Sequence, residues 1–282
     1  MLLVLVREVA VRAEDLVVSY GNVIALDRSS FEIPSGAITA VIGPNGSGKS
    51  TLLSTIAGLV KLSGGSIELL PDHEREPTIS FVLQTTKVND ALPISVEEVV
   101  AMGRYADKGP FERFKKEDAD AISLAMERTG VSDLARRHLN HLSGGQRQRA
   151  FVAQGLAQDH DLLLLDEPLT GIDIAAAQAI DRVIHNEITR GCSVIMTTHD
   201  LTEARIADHA LLLSGKVVAS GPPEEVLTAE NLMTAYGPSL LHVEDGQVFL
   251  DDAAHAPTAS RHLHRDRTIH TEASPGDFHS EN

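Results

Sequence analysis

The chain has 282 residues, 43% of them hydrophobic and 4% aromatic, with no tryptophan and a formal net charge of −16. That length supports one large or two small domains with a real core, and the acidity excludes a basic nucleic-acid surface as the main working face. No run approaches the roughly 18 apolar residues that cross a bilayer, and the lone cysteine, Cys192, cannot form an internal disulfide, which fits a reducing cytoplasm.

In chain order, the opening MLLVLV gives way at once to Arg7 and Glu8, has no basic leader, and reads as a first strand or an untidy start rather than a signal peptide. Residues 14 to 37 are more polar, with turns at Gly21 and Gly36, as in an antiparallel sheet. Three runs, AITAVIG (37–43), DLLLLDE (161–167) and SVIMTTH (193–199), are apolar on both faces, the pattern of strands buried in a parallel sheet. From about Gln84 to Gln158 the pattern is helical. There Ile122, Ala125, Met126 and Thr129 make one apolar stripe that Gly130 ends. LLLSGKVVASGPP predicts a hairpin turning at Ser214-Gly215, and HVEDGQVFL another at Asp245-Gly246. After Asp252 the sequence is polar and too poor in apolar residues to build a core. The fold class is therefore α/β with a mainly parallel sheet.

Three motifs carry chemistry. GPNGSGKST, from Gly43 through Pro44, Asn45, Gly46, Ser47, Gly48, Lys49 and Ser50 to Thr51, satisfies G-x-x-x-x-G-K-[ST] between a buried strand and a helix. Its backbone N–H groups can wrap phosphates, Lys49 supplies a point charge, and the Ser50 hydroxyl can ligate Mg²⁺. In LLLLDEP an apolar strand ends in two acids: Asp166 can hold magnesium through water and Glu167 can polarise an attacking water, the plain alternative being acids that cap the next element. HLSGGQRQRA places an N-cap, Ser143, before Gly144 and Gly145. Two glycines in a first turn cost about 1 kcal/mol each relative to alanine, so something must approach that helix N-terminus closely, and an anion suits it.

In the order found here, these motifs resemble the ATP-binding cassette (ABC) family from about Glu14 to Gly237. Tyr20 precedes the phosphate loop; Gln84 lies in FVLQTT, the signature LSGGQ spans Leu142 to Gln146, LLLLDEP follows, Asp173 closes LTGID, and His199 sits in TTHD. The resemblance implies a P-loop NTPase core over 12–237, with an N-terminal antiparallel β subdomain and an inserted helical signature subdomain at about 85–158. It leaves 238–251 as a β-hairpin extension and 252–282 as a disordered tail. It further implies a head-to-tail dimer, a homodimer of this chain or a pair with a close relative, in which Ser143, Gly144, Gly145 and Gln146 close over the partner's ATP. On this reading both glycines exist for that approach. Tyr20 then stacks on adenine, where a plain strand tyrosine is the alternative. Gln84 senses the γ-phosphate and Mg²⁺ beside the membrane subunit, Asp173 crosses the dimer interface or merely caps a helix, and His199 positions the water with Glu167. Mg²⁺ would be held by Ser50, Gln84 and Asp166. Gly171 and Ile172 stand where many relatives carry Ala and Leu, a harmless departure.

Within the family, QTTKVNDALPISVEEVVAMGRYAD resembles the zinc and manganese importers. Siderophore importers usually carry Pro-His after the Gly-Arg pair, and here Arg104 is followed by Tyr105 and Ala106. The expectation is the ATPase subunit of a zinc or manganese importer. It would sit peripherally on the cytoplasmic face of the cell membrane with an integral membrane permease and, indirectly, an extracytoplasmic solute-binding protein. A siderophore importer, an exporter, a soluble cassette protein acting on DNA or ribosomes, and a module that has lost catalysis are the alternatives. The soluble class carries two cassettes or long coiled-coil insertions, and this chain has neither. In the tail, His255, His262, His264, His270 and His279 could hold zinc weakly, or could be incidental.

Overall fold

The computed structural model describes residues 8–70, 75–84, 93–105, 108 and 112–237, together with the backbone of 241–244 and 247–250. β1 (Val9–Tyr20) and β2 (Val23–Pro34) form an antiparallel pair that turns at Gly21. β3 (Ile38–Ile42) leads into the phosphate loop and α1 (Lys49–Ile56), after which β4 (Gly64–Leu69) returns to pair with β1. The first sheet thus has the order β2-β1-β4. It starts earlier than residue 14 and recruits a third strand that the sequence pattern did not announce. Val11 and Ala13 face inward, and so do Leu16 and Val18. The change of phase falls at a bulge where Asp15 takes φ 49.

β5 (Ile79–Val82) is followed by three helices, α2 (Val96–Met102), α3 (Lys116–Arg128) and α4 (Gly144–Ala157). β6 (Leu162–Leu165), α5 (Ile174–Thr189), β7 (Ser193–Thr198), α6 (Leu201–Ile206), β8 (His209–Leu213) and β9 (Val217–Gly221) complete the central sheet and its covering helices. That sheet runs β5-β6-β7-β3-β8-β9 and is parallel except for β9, which makes the expected hairpin with β8. Two short helices, α7 (Pro223–Val226) and α8 (Ala229–Tyr236), and the antiparallel pair β10 (Leu241–Glu244) and β11 (Gln247–Leu250) follow. The turn at Asp245-Gly246, the opening residues 1–7 and the histidines of the tail lie outside the described residues.

Every residue of β3, β6 and β7 is buried, because the sheet is covered on both sides. Strand alternation divides their side chains between two cores. Val41, Leu162, Leu164 and Ile195 pack with α1 and the first sheet. Ala40, Ile42, Leu163, Leu165, Val194 and Met196 pack with α5 and the helices of the 96–157 region. The stripe of Ile122, Ala125, Met126 and Thr129 is buried as predicted, and the chain leaves α3 through Gly130 at φ 64. Among the described residues no helix is long and apolar enough to cross a membrane.

One charged group rivets the three helices together. Arg104 donates through Nε to Asp118 at 3.0 Å and through Nη1 to the carbonyl of Ala157 at 3.0 Å, so the ends of α2 and α4 meet the first turn of α3. Asp118 also accepts from Lys108 at 2.8 Å and from the backbone N–H of Lys115 at 2.7 Å. Lys108 first, then Lys115 and Arg104 hold its carboxyl well below the usual carboxylate range. A depressed carboxylate stabilises the fold fully above its unfolded pKa, about 3.9, and loses that contribution as pH falls toward its folded value. Asp118→Asn should therefore lower the denaturation midpoint at neutral pH. The gap to the parent protein should narrow progressively below about pH 4, as read by chemical denaturation across a pH series.

Candidate functional site

The predicted catalytic groups gather at the carboxyl ends of the parallel strands, where an open α/β sheet offers a crevice. The phosphate loop follows β3, Gln84 follows β5, Asp166 and Glu167 follow β6, and His199 follows β7. The loop is shaped by close backbone approach. A Cβ on Gly43 would lie 2.2 Å from the carbonyl oxygen of Leu213, and one on Gly48, at φ 99, would lie 2.5 Å from Leu26. α1 follows Gly48 at its N-cap, with no side-chain cap and no acid in its first turn, so its leading N–H groups are offered to an anion. Ser47 is buried and its Oγ has no hydrogen-bond partner among the described residues.

Lys49 is 6% exposed and curls back into the loop, donating to the carbonyls of Gly43 at 2.8 Å and Pro44 at 3.2 Å. Burial lowers its pKa, and the nearby Glu167 and Asp166 oppose that shift. These acids are held by a residue that the motif reading passed over. The Thr197 hydroxyl donates to Asp166 Oδ1 at 2.7 Å and accepts from the Glu167 N–H at 2.7 Å. A hydroxyl at a fully buried strand position needs such partners, and that was the available signal. Glu167 adopts φ 47, a conformation that costs a non-glycine residue about 1–3 kcal/mol. Its Oε2 accepts from Gln84 Nε2 at 2.7 Å. His199 stands with Nδ1 3.5 Å from Thr170 Oγ1.

A second cluster forms where α4 packs on α5. Ser143 Oγ accepts from the Gln146 N–H at 3.2 Å, while Gln146 Oε1 accepts from the Ser143 N–H at 3.1 Å, a reciprocal capping box. Asp173 caps α5 through the Ala176 N–H at 2.8 Å. The two signature glycines have different surroundings. A Cβ on Gly144 would meet nothing within 4 Å, whereas one on Gly145 would lie 2.9 Å from Ala176 Cβ and 3.1 Å from Asp173 Oδ2. Packing inside its own chain is thus a further reason for Gly145 to lack a side chain, beside the approach of an outside ligand expected for both glycines. Tyr20 ends β1 with 52% of its surface exposed.

The family model of the ABC transporter matches residues 26–170, half of the chain. The chain belongs to the ABC transporter family. It is 38% identical over 238 residues to the manganese transport system ATP-binding protein MntB of Bacillus subtilis, covering 83% of this chain and 95% of that protein. Over 244 residues it is 39% identical to the ferric enterobactin transport ATP-binding protein FepC of Escherichia coli, covering 83% and 89%. Among solved structures, a chain of a metal-chelate type ABC transporter in an inward-facing conformation superposes with a TM-score of 0.73 at 29% identity, covering 86% of this chain and 96% of that one. The protein is an ATPase and the ATP-binding subunit of an ABC importer, a class whose cassettes work as dimers on membrane permeases.

The two glycines separate in a mutational test. Gly145→Ala should destabilise the isolated subunit by about 1–3 kcal/mol through overpacking. Gly144→Ala should leave stability unchanged or raised by up to about 1 kcal/mol. Urea denaturation of both variants measures the difference.

Proposed function

We propose that this subunit hydrolyses ATP through Glu167 and drives uptake of a transition metal, zinc or manganese. The observation that carries the catalytic part is the fixed position of Glu167 beside Lys49, its backbone N–H held by the Thr197 hydroxyl and its carboxylate by Gln84. In that setting Glu167 polarises the attacking water, and His199, at the end of the neighbouring strand, orients it. Lys49 exchanges its loop carbonyls for phosphate oxygens of ATP. The backbone from Gly43 to Thr51 cradles those oxygens, and Tyr20 offers its exposed ring to adenine. Mg²⁺ would be held by Ser50, Gln84 and Asp166 and supplies charge neutralisation at the phosphates. The buried Ser47 hydroxyl, without a hydrogen-bond partner among the described residues, and the uncapped start of α1 fit such an anionic load.

Ser143, Gly144 and Gln146 form an open helix start that suits the γ-phosphate held by a second copy of the chain, with Asp173 at the same face. On this reading the permease seats between α2 and α3. A cavity of about 1050 Å³ there is lined by Ile94, Met102, Tyr105 and Phe114 among others, and the last three side chains are substantially exposed. On this reading the subunit works on the cytoplasmic face of the membrane, with an extracytoplasmic solute-binding protein feeding the permease. The Gly-Arg-Tyr run at 103–105 and the manganese-transporting relative support a metal ion as cargo. The ferric enterobactin relative favours, as a second reading, an iron–siderophore cargo.

Glu167→Gln should bind Mg-ATP with affinity within a few-fold of the parent, hydrolyse it about 10²–10⁴-fold more slowly, and elute as a dimer in ATP. Hydrolysis at the parent rate would remove Glu167 from its role. Ser143→Arg should keep nucleotide binding by the monomer while losing the dimer and turnover; equal loss of monomer binding would place the signature on its own chain's nucleotide. Uptake of isotopic manganese, zinc and ferric siderophore by cells carrying the subunit with its permease decides the cargo, and uptake of the siderophore alone would overturn the metal-ion reading.

A further inference from the structure

A second group of chemically able residues lies at the opposite ends of the strands that carry the acids. His160 comes two residues before β6, Cys192 one residue before β7, and Glu187 projects from the last turns of α5. Their donor atoms lie within 4.8 Å of one another. The His160 and Glu187 side chains are 3% and 0% exposed, and Cys192 is buried.

The hydrogen bonds around this group leave two atoms over. His160 Nδ1 is 2.8 Å from the carbonyl of Gln158, a contact that assigns the ring proton to Nδ1 and leaves Nε2 as an electron-pair donor. Nε2 faces Glu187 Oε2 at 3.2 Å, and among the described residues neither atom has an aligned hydrogen-bond partner. The other carboxylate oxygen, Oε1, is engaged by Arg128 and lies 3.5 Å from Arg190. Two buried electron-pair donors that face each other need a proton or a metal cation between them. Cys192 Sγ, now 3.3 Å from the His160 carbonyl to which it donates, completes a nitrogen, oxygen and sulfur set.

The geometry points to a metal site in which His160 Nε2, Glu187 Oε2 and Cys192 Sγ bind a thiophilic divalent cation, Zn²⁺. Tetrahedral zinc with these donors spaces its ligands about 3.3–3.8 Å apart. The imidazole and carboxylate, at 3.2 Å, are within about 0.1 Å of that range, and the sulfur has to close by about 1 Å. A thiolate and an imidazole favour zinc over manganese, magnesium and calcium, which take oxygen ligands. The outer contacts suit the role, since Nδ1–H on a carbonyl and Oε1 on a guanidinium orient the ligands as supporting partners do at zinc sites. A cavity of about 350 Å³, lined by His160, Asp161, Arg190, Cys192 and Ser193, gives the ion a way in and room for water as fourth ligand. Binding replaces the Cys192 thiol proton, which leaves to solvent. The site is independent of the cargo proposed above and of the histidines beyond residue 252.

The test uses Co²⁺ as probe on the full chain. With one cysteine in the sequence, a near-ultraviolet thiolate-to-cobalt charge-transfer band reports Cys192 alone, and tail histidines cannot produce it. The band should saturate at one equivalent, be bleached by equimolar Zn²⁺, and vanish in Cys192→Ser. In His160→Asn cobalt affinity should fall at least tenfold while ATP binding persists as the check on folding; His160→Gln serves if that variant does not fold. No band from the folded parent chain in excess cobalt would overturn the site, leaving a proton between His160 and Glu187. A band of unchanged affinity in the folded His160 variant would overturn it equally.

Discussion

The backbone of Gly43 runs against the carbonyl oxygen of Leu213, and the backbone of Gly48 runs against Leu26, with no space for a methyl group at either point. These two contacts clamp the phosphate loop between the central sheet and the small antiparallel sheet. The loop is therefore shaped before any ligand arrives. Its remaining freedom is used up by Lys49, a buried ammonium that donates to two carbonyls of the loop itself. A buried charge with such modest partners favours the arrival of phosphate oxygens, because stronger, anionic acceptors would replace neutral ones. The small sheet matters to the site for this reason, although it contributes none of the acids.

The sequence was most readable where burial is complete. β3, β6 and β7 are covered on both faces, so their apolar runs left no other reading, and the residues that follow them had to lie at one edge of one sheet. β4 escaped because it opens on two glycines and its side chains are only partly covered, which leaves neither alternation nor a continuous apolar run. Thr197 escaped because its importance lies in two hydrogen bonds across strands, and the register that brings it to Asp166 exists only once β6 and β7 have paired. Gly145 was noticed for the right reason, a backbone that something approaches closely. One approaching group is Ala176 from α5 of the same chain, and no local pattern distinguishes that from an external ligand. His160, Glu187 and Cys192 come from three segments that only the pairing of β6 with β7 and the packing of α5 bring together.

Glu167 shows how the fold holds a side chain in a position its own backbone disfavours. The positive φ turns the residue out of the strand direction, and Thr197 fixes its N–H while Gln84 fixes its carboxylate. Gln84 lies two residues past the end of β5, so the partner that steadies Glu167 stands where the chain leaves the sheet toward the helical region. Any displacement at that point changes the hydrogen bond on the carboxylate directly.

The packing of Gly145 onto Ala176 and Asp173 leaves no compliant layer between the starts of α4 and α5. Close-packed contacts transmit strain rather than absorb it. A load applied at Ser143 therefore reaches Asp173 without first bending a loop.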